Sequence, residues 1–348
     1  MDNRFVWRAS NVFFMLLYAK MFKKRLPVRV ALHVTEFCNM RCTYCYTNFE
    51  TYKKVKEKTT DEMCRLIDEL YSHGMRSLWF LGGEPMMRRD FGEIIEYATR
   101  KGIFCDMNSN GVLIDEKNID AVKKLDAVCI SIDGDEESND SYRGKGSYQK
   151  VIRALKLLRK ENVKVRLHSI LTKRTWKKLD HMVKLSQELG TTFNYCEVQL
   201  RNPDLADHVL DEGESRKFYE SYLAYKKQGA PILHPIPVIE YMLRWPKAGE
   251  ALIYRDESSK YPKDSYIPCL SGDLTCFYDL DGRMYSCPRT WDDGLNSKEV
   301  GFQKAWDYLA NRKCISCKCI GAVELHMLLG LHPQSLIHSL KNVLALRR

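Results

Sequence analysis

Three cysteines stand close together near the start of the chain. The run Cys38-Asn39-Met40-Arg41-Cys42-Thr43-Tyr44-Cys45 reads C-x3-C-x2-C with an aromatic residue before the last cysteine. Three thiolates at this spacing can ligate three irons of a [4Fe-4S] cluster and leave the fourth iron open for chemistry. The competing chemistry is structural zinc, which needs four ligands in a closed tetrahedron. The next cysteine, Cys64, lies 19 residues on, in a predicted helix. A second group, Cys269, Cys276, Cys287, Cys314, Cys317 and Cys319, holds six of the 13 cysteines within residues 269–319. Tyr278 to Cys287 predicts two short strands around the Asp281-Gly282 turn. A hairpin with a cysteine at its exit, followed by a C-x2-C pair, can bring four thiolates to one point, for which a four-cysteine zinc site is the alternative.

These residues need a scaffold, and the pattern from about residue 28 onward supplies one. Short apolar runs alternate with segments of helical period. Strands are predicted at Val28–Val34, Ser77–Leu81, Ile103–Asn108, Ala127–Ile132, Val163–Leu171 and Thr192–Leu200, with helices starting near Thr60, Asp90, Glu116, Ser147 and Trp176. Six strands joined by five crossovers imply an α/β fold, a partial (β/α)6 TIM-like barrel, with a small cysteine-rich C-terminal hairpin and helix extension. Functional residues of such barrels sit on loops at the carboxyl ends of the strands.

The first cysteine run follows the first predicted strand directly. Gly82-Gly83-Glu84-Pro85 follows the second, Asn108-Ser109-Asn110-Gly111 the third, and Ser131-Ile132-Asp133-Gly134 closes the fourth. In this order and placement the chain resembles the radical S-adenosylmethionine (SAM) enzymes, whose motif is C-x3-C-x-aromatic-C after the first barrel strand. The resemblance implies Cys38, Cys42 and Cys45 as cluster ligands. It implies SAM contacts from Tyr44, Gly82, Gly83, Glu84, Pro85, Asn108, Asn110, Ser131 and Asp133, with Glu84 pairing the SAM ammonium. Arg143, after the fourth strand, is expected to meet the SAM carboxylate or the substrate, a solvated loop arginine being the alternative. The C-terminal cysteines resemble the twitch half of a SPASM extension. That likeness implies an auxiliary [4Fe-4S] cluster on Cys269, Cys287, Cys314 and Cys317, with Cys276 and Cys319 spare. The implied cofactors are therefore two [4Fe-4S] clusters and SAM, and the implied partner is a small flavodoxin- or ferredoxin-like electron donor.

Composition bounds the remaining possibilities. The 348 residues are 45% hydrophobic and 29% charged, which excludes disorder and fibrous classes. An odd cysteine count without a cleavable signal argues against a disulfide framework and for a cytoplasmic protein. Much of the net charge of +10 gathers at the ends, as Arg4, Arg8, Lys20, Lys23, Lys24 and Arg25 and as Lys341, Arg347 and Arg348. Charge at the ends is not the stripe of a nucleic-acid groove. The organisation expected is a basic amphipathic segment 1–26, a barrel 27–205, a helical and loop connection 206–265, an auxiliary-cluster unit 266–321 and an amphipathic helix 322–348.

Both ends suggest peripheral contact with the inner face of a membrane, because Val12–Ala19 with its flanking cations is too short to span one. The alternative is that they dock on the barrel. The basic, apolar ends make a membrane-associated lipid or polyprenoid the first expected substrate. A peptide or protein maturase is the alternative, weakened by the 37 residues before Cys38, too few for a separate leader-binding domain. A non-catalytic iron-sulfur electron carrier is the third reading, and the SAM-type motifs oppose it.

Overall fold

The computed structural model describes residues 3–45, 56–198, 203–247 and 249–337. The described strands are β1 (Arg29–His33), β2 (Ser77–Leu81), β3 (Phe104–Ser109), β4 (Ala127–Ser131), β5 (Val165–Leu171) and β6 (Thr192–Glu197). They continue with β7 (Leu252–Tyr254), β8 (Thr275–Tyr278), β9 (Arg283–Tyr285), β10 (Gly294–Asn296) and β11 (Cys314–Cys317). The helices are α1 (Asn3–Met21), α2 (Thr60–Ser72), α3 (Phe91–Arg100), α4 (Ile119–Val122), α5 (Glu136–Arg143) and α6 (Ser147–Lys160). After them come α7 (Leu179–Leu189), α8 (Glu212–Lys227), α9 (Ile236–Leu243), α10 (Ser297–Val300), α11 (Phe302–Tyr308) and α12 (Ile320–Leu329). The chain divides into two compact units, each drawn from several segments: residues 1–131, 149–165 and 271–311 form the first, and residues 132–148, 166–270 and 312–348 the second.

In the first unit the strands run in the order β10-β9-β8-β1-β2-β3-β4. β1 pairs in parallel with β2, β2 with β3 and β3 with β4, so their carboxyl ends fall on one edge. Strands covered on both faces read as continuous apolar runs, and β1 (RVALH) and β2 (SLWFL) are buried along nearly their whole length. α2 crosses from β1 to β2 and begins with a capping box, in which the Thr59 hydroxyl accepts from the Glu62 N–H and the Glu62 carboxylate accepts from the Thr59 N–H.

The hairpin predicted around Asp281-Gly282 is present as β8 and β9 in antiparallel pairing. What the local pattern did not indicate is that β8 also lies in parallel against β1, Arg29 opposite Thr275. Residues 271–311 thus complete the sheet that carries the first cysteine run.

The N-terminal segment folds as α1 and packs one face on the first unit. Phe5, Leu16 and Ala19 are buried, and Arg8 makes a buried forked ion pair with Asp126, with Nη2 to Oδ1 at 2.8 Å. The segment thus docks on protein, the alternative to membrane contact, through one of its faces. No described helix is long and apolar enough to cross a membrane.

In the second unit β5 and β6 pair in parallel from Arg166 opposite Thr192 to Leu171 opposite Glu197, and β7 pairs antiparallel with β11. The C-x2-C pair Cys314 and Cys317 therefore lies on a strand. α12 runs through residue 322, and residues 338–348 of the amphipathic helix expected over 322–348 lie outside the described residues.

Candidate active site

The cysteine run leaves β1 through Thr35 and is clamped from below by the loop after β2. The Gly83 N–H donates to the Thr35 carbonyl at 2.8 Å and the Glu84 N–H to the Phe37 carbonyl at 2.7 Å. A Cβ on Gly82 would stand 2.4 Å from the Thr35 oxygen, and one on Gly83 only 2.3 Å from that of Phe37. The glycine pair, expected to let backbone approach a ligand, here lets one backbone press on another.

Glu84 is 1% exposed. Its carboxylate accepts hydrogen bonds from the Ser109 hydroxyl (2.8 Å), the Asn110 N–H (2.7 Å) and the Met86 N–H (3.2 Å). The Asn110 amide in turn donates to the Asn39 side chain at 2.7 Å, between Cys38 and Cys42. Arg88, also buried, donates to the Val34 carbonyl and binds Asp90. The loops after β1, β2 and β3 are thus one hydrogen-bonded assembly. Pro85 opens a short 3-10 turn, Tyr44 is buried, and Ser131 ends β4 half-buried. Asn108 accepts from the Trp79 indole at 3.0 Å, which turns it toward β2. Ser109, Asn39 and Arg88 escaped the sequence reading, although Ser109 lies inside the Asn-Ser-Asn-Gly motif that drew attention to its neighbours.

Cys38, Cys42 and Cys45 are each partly exposed and free of disulfides. Burial pushes the Cys38 thiol up, and the nearby Glu84 carboxylate and Cys45 add to the rise against a backbone hydrogen bond from Met40. Among the described residues no three His, Cys, Asp or Glu side chains converge on a single-ion site. A multi-iron cluster, in which each thiolate holds a different iron, does not require that convergence. The donor set, three soft thiolates on one loop whose base is fixed, suits such a cluster.

In the second unit Asp133 is wholly buried and receives Arg143 Nε at 2.6 Å, the Ile170 N–H at 3.0 Å and the Ser169 hydroxyl at 3.3 Å. Arg143 is therefore no solvated loop arginine: it is buried on α5, a helix the sequence reading had left out. Of the expected auxiliary ligands, Cys269, Cys314 and Cys317 lie in this unit, the Cys269 N–H donating to the Ile315 carbonyl of β11 at 2.7 Å. Cys287 lies in the first unit, just before a 3-10 turn. Cys276 is fully buried in β8 with its thiol pushed up to about 12 by desolvation, as suits an inert core residue. Cys319 stands at the N-cap position of α12, without a side-chain cap hydrogen bond, and is buried.

The second unit also holds a polar group that no motif announced. Glu324 on α12 stands 3.4 Å from His234 Nε2, and the other ring nitrogen of His234 meets the Tyr222 hydroxyl at 3.1 Å. Burial lifts Glu324 to about 7, and Arg166 and Lys226 oppose the rise. Its folded value lies above the unfolded one, so its contribution is complete below pH ~4.3 and is lost as pH rises through about 7. Thermal stability is expected to fall across that interval, and Glu324→Gln should flatten the decline in scanning calorimetry. An unchanged profile would contradict this assignment.

Residues 32–186 match the model of the Radical SAM superfamily. Fe-coproporphyrin III synthase of Methanosarcina barkeri is 35% identical over 169 residues, 48% of this chain and 42% of that relative, so the match spans under half of each protein. AdoMet-dependent heme synthase of Nitratidesulfovibrio vulgaris is 27% identical over 80% of this chain and 78% of its own length. PqqA peptide cyclase of Granulibacter bethesdensis is 28% identical over 76% and 72%. Among solved structures, Streptococcus suis SuiB bound to the precursor peptide SuiA matches with a TM-score of 0.66 at 14% identity, covering 85% of this chain and 69% of that one.

The fold and the motifs at its strand ends define an iron-sulfur radical enzyme on a partial TIM barrel. Residues 32–186 form a radical SAM domain, whose cofactors are SAM and a SAM-binding [4Fe-4S] cluster, and a twitch- or SPASM-like extension with an auxiliary cluster fits the relatives that align along most of the chain. The electron-carrier reading falls with this assignment.

Proposed function

We propose that the enzyme modifies a peptide by hydrogen abstraction. Support comes from a relative named as a peptide cyclase that aligns along most of both chains, and from a fold neighbour solved with its precursor peptide. The lipid or polyprenoid expected first finds no counterpart among these relatives, and one face of the N-terminal helix that suggested it is packed on protein.

The residue roles in this reading are as follows. Cys38, Cys42 and Cys45 hold the first cluster, and Cys269, Cys287, Cys314 and Cys317 the auxiliary one. A cluster held there would, once reduced, supply the electron for reductive cleavage of SAM into methionine and a 5′-deoxyadenosyl radical. Asn39, Glu84, Ser109 and Asn110 fix the loops around that site, and Tyr44, Gly82, Gly83, Pro85, Asn108, Ser131, Asp133 and Arg143 are the SAM contacts that the motifs imply. Fixed loops keep the reacting groups oriented and water out. A flavodoxin- or ferredoxin-like donor supplies the electron.

A tetrapyrrole substrate is the second reading, favoured by the two relatives named as tetrapyrrole synthases. Anaerobic turnover with SAM and a reductant separates them. The peptide reading expects 5′-deoxyadenosine to form in proportion to a mass change in a peptide encoded beside the gene. Turnover coupled to an iron porphyrin and indifferent to peptides would overturn it.

A further inference from the structure

α1 is apolar on two opposite faces, and only one of them is covered. On the inner face Phe5, Leu16 and Ala19 are buried and Phe5 meets Phe104 edge to face at 5.6 Å, while at the border between the two faces the Asn11 amide donates to the Gly102 carbonyl at 3.1 Å. The buried Arg8–Asp126 ion pair fixes the rotation of the helix on the first unit. That rotation places Trp7, Phe14, Tyr18 and Met21 at the i, i+7, i+11 and i+14 spacing of one helical face, open to solvent although the Trp7 indole also rests against Gly102. They are 49%, 63%, 46% and 66% exposed, and Phe22 just beyond is 58% exposed. Single exposed apolar side chains are ordinary, but a continuous row of large ones marks an interaction surface.

The fringe of this row is cationic. Arg4 is exposed at one end, and Lys20, Lys23 and Lys24 are exposed at the other. No acidic residue occurs between Asn3 and Leu26. We propose that the outward face of α1 docks the enzyme on an anionic lipid bilayer, the helix lying in the plane of the headgroups. The charge complements anionic lipid, and Trp and Tyr suit a boundary that is apolar on one side and wet on the other. A helix held flat by its inner face meets the bilayer side-on, in keeping with the lack of any described helix able to cross it. Leu16, apolar enough to suggest insertion from sequence alone, is occupied on the inner face and takes no part. The inference does not depend on the identity of the substrate.

The test uses the full-length, cluster-loaded enzyme in cosedimentation with vesicles of phosphatidylglycerol and phosphatidylcholine or of phosphatidylcholine alone. Binding to the anionic vesicles is expected to exceed binding to neutral ones at least ~10-fold and to weaken as salt rises. The triple change Trp7→Ser, Phe14→Ser and Tyr18→Ser should lower anionic binding by a similar factor. So should Lys20→Glu, Lys23→Glu and Lys24→Glu, a second set that leaves the aromatic row in place should the first impair folding. Wild-type enzyme that ignores anionic vesicles, or binds neutral ones equally at every salt concentration, would overturn the proposal. A concentration-dependent dimer formed without lipid and abolished by Phe14→Ser would assign the face to a second copy of the chain and overturn it too.

Discussion

Replacing Cys38, Cys42 and Cys45 together by alanine is expected to abolish SAM cleavage and to lower iron from about eight to about four atoms per chain. The structure gives this result its meaning, because the base of the loop is held by contacts other than its thiols. Its base hangs on backbone hydrogen bonds from Gly83 and Glu84 and on the Asn110–Asn39 bridge. The three side chains can go while their scaffold stays. The variant should therefore melt close to the wild type without iron and lose 5′-deoxyadenosine formation entirely. Anaerobic iron analysis and chromatography of turnover mixtures read both quantities. Residual deoxyadenosine at more than a trace would sink the assignment of this loop, and zinc in place of the remaining iron would sink that of the auxiliary site.

Glu84→Ala should have the next largest effect, on two observables at once. Its carboxylate gathers the Ser109 hydroxyl and the Asn110 and Met86 N–H groups in a site 1% exposed. Truncation strands these buried donors, at a cost of about 3 kcal/mol in stability. It also loosens Asn110, and through it Asn39, so SAM affinity should fall together with the melting temperature. Glu84→Gln separates the two contributions, since its amide keeps one acceptor oxygen and most of the shape but loses the charge. If the carboxylate also meets the SAM ammonium, the Gln variant should recover much of the stability and little of the affinity. Calorimetry and equilibrium dialysis with SAM make the comparison, and a wild-type result for the Ala variant in both would remove Glu84 from the site.

How much of this was legible from the residues depended on whether the signal was local. β2 and the start of α6 fall where the apolar periodicity put them, and the motifs at successive strand ends follow from parallel pairing of β1 to β4. Contacts that join distant parts of the chain left no such trace. The partner of Arg8 is 118 residues away, and a helix apolar on both faces does not announce which face is packed. The cysteine-rich stretch 266–321 read as one unit because its cysteines cluster in sequence. The division into compact units gives residues 271–311 to the first and Cys269, Cys314 and Cys317 to the second. Glu84 was singled out for its charge, while the Ser109 hydroxyl that binds it looked like an ordinary turn residue.

The pairing of Arg29 with Thr275 carries a consequence for how the protein is made. β1 is completed on one side by β2, soon after it leaves the ribosome, but its other edge waits for a strand encoded some two hundred and forty residues later. At roughly 5–20 residues per second of translation, that edge stays open for on the order of tens of seconds. An unpaired edge is a template for aggregation during that interval. A nascent chain released early, or shortened before Thr275 to remove the C-terminal cysteines, keeps the same edge bare for good.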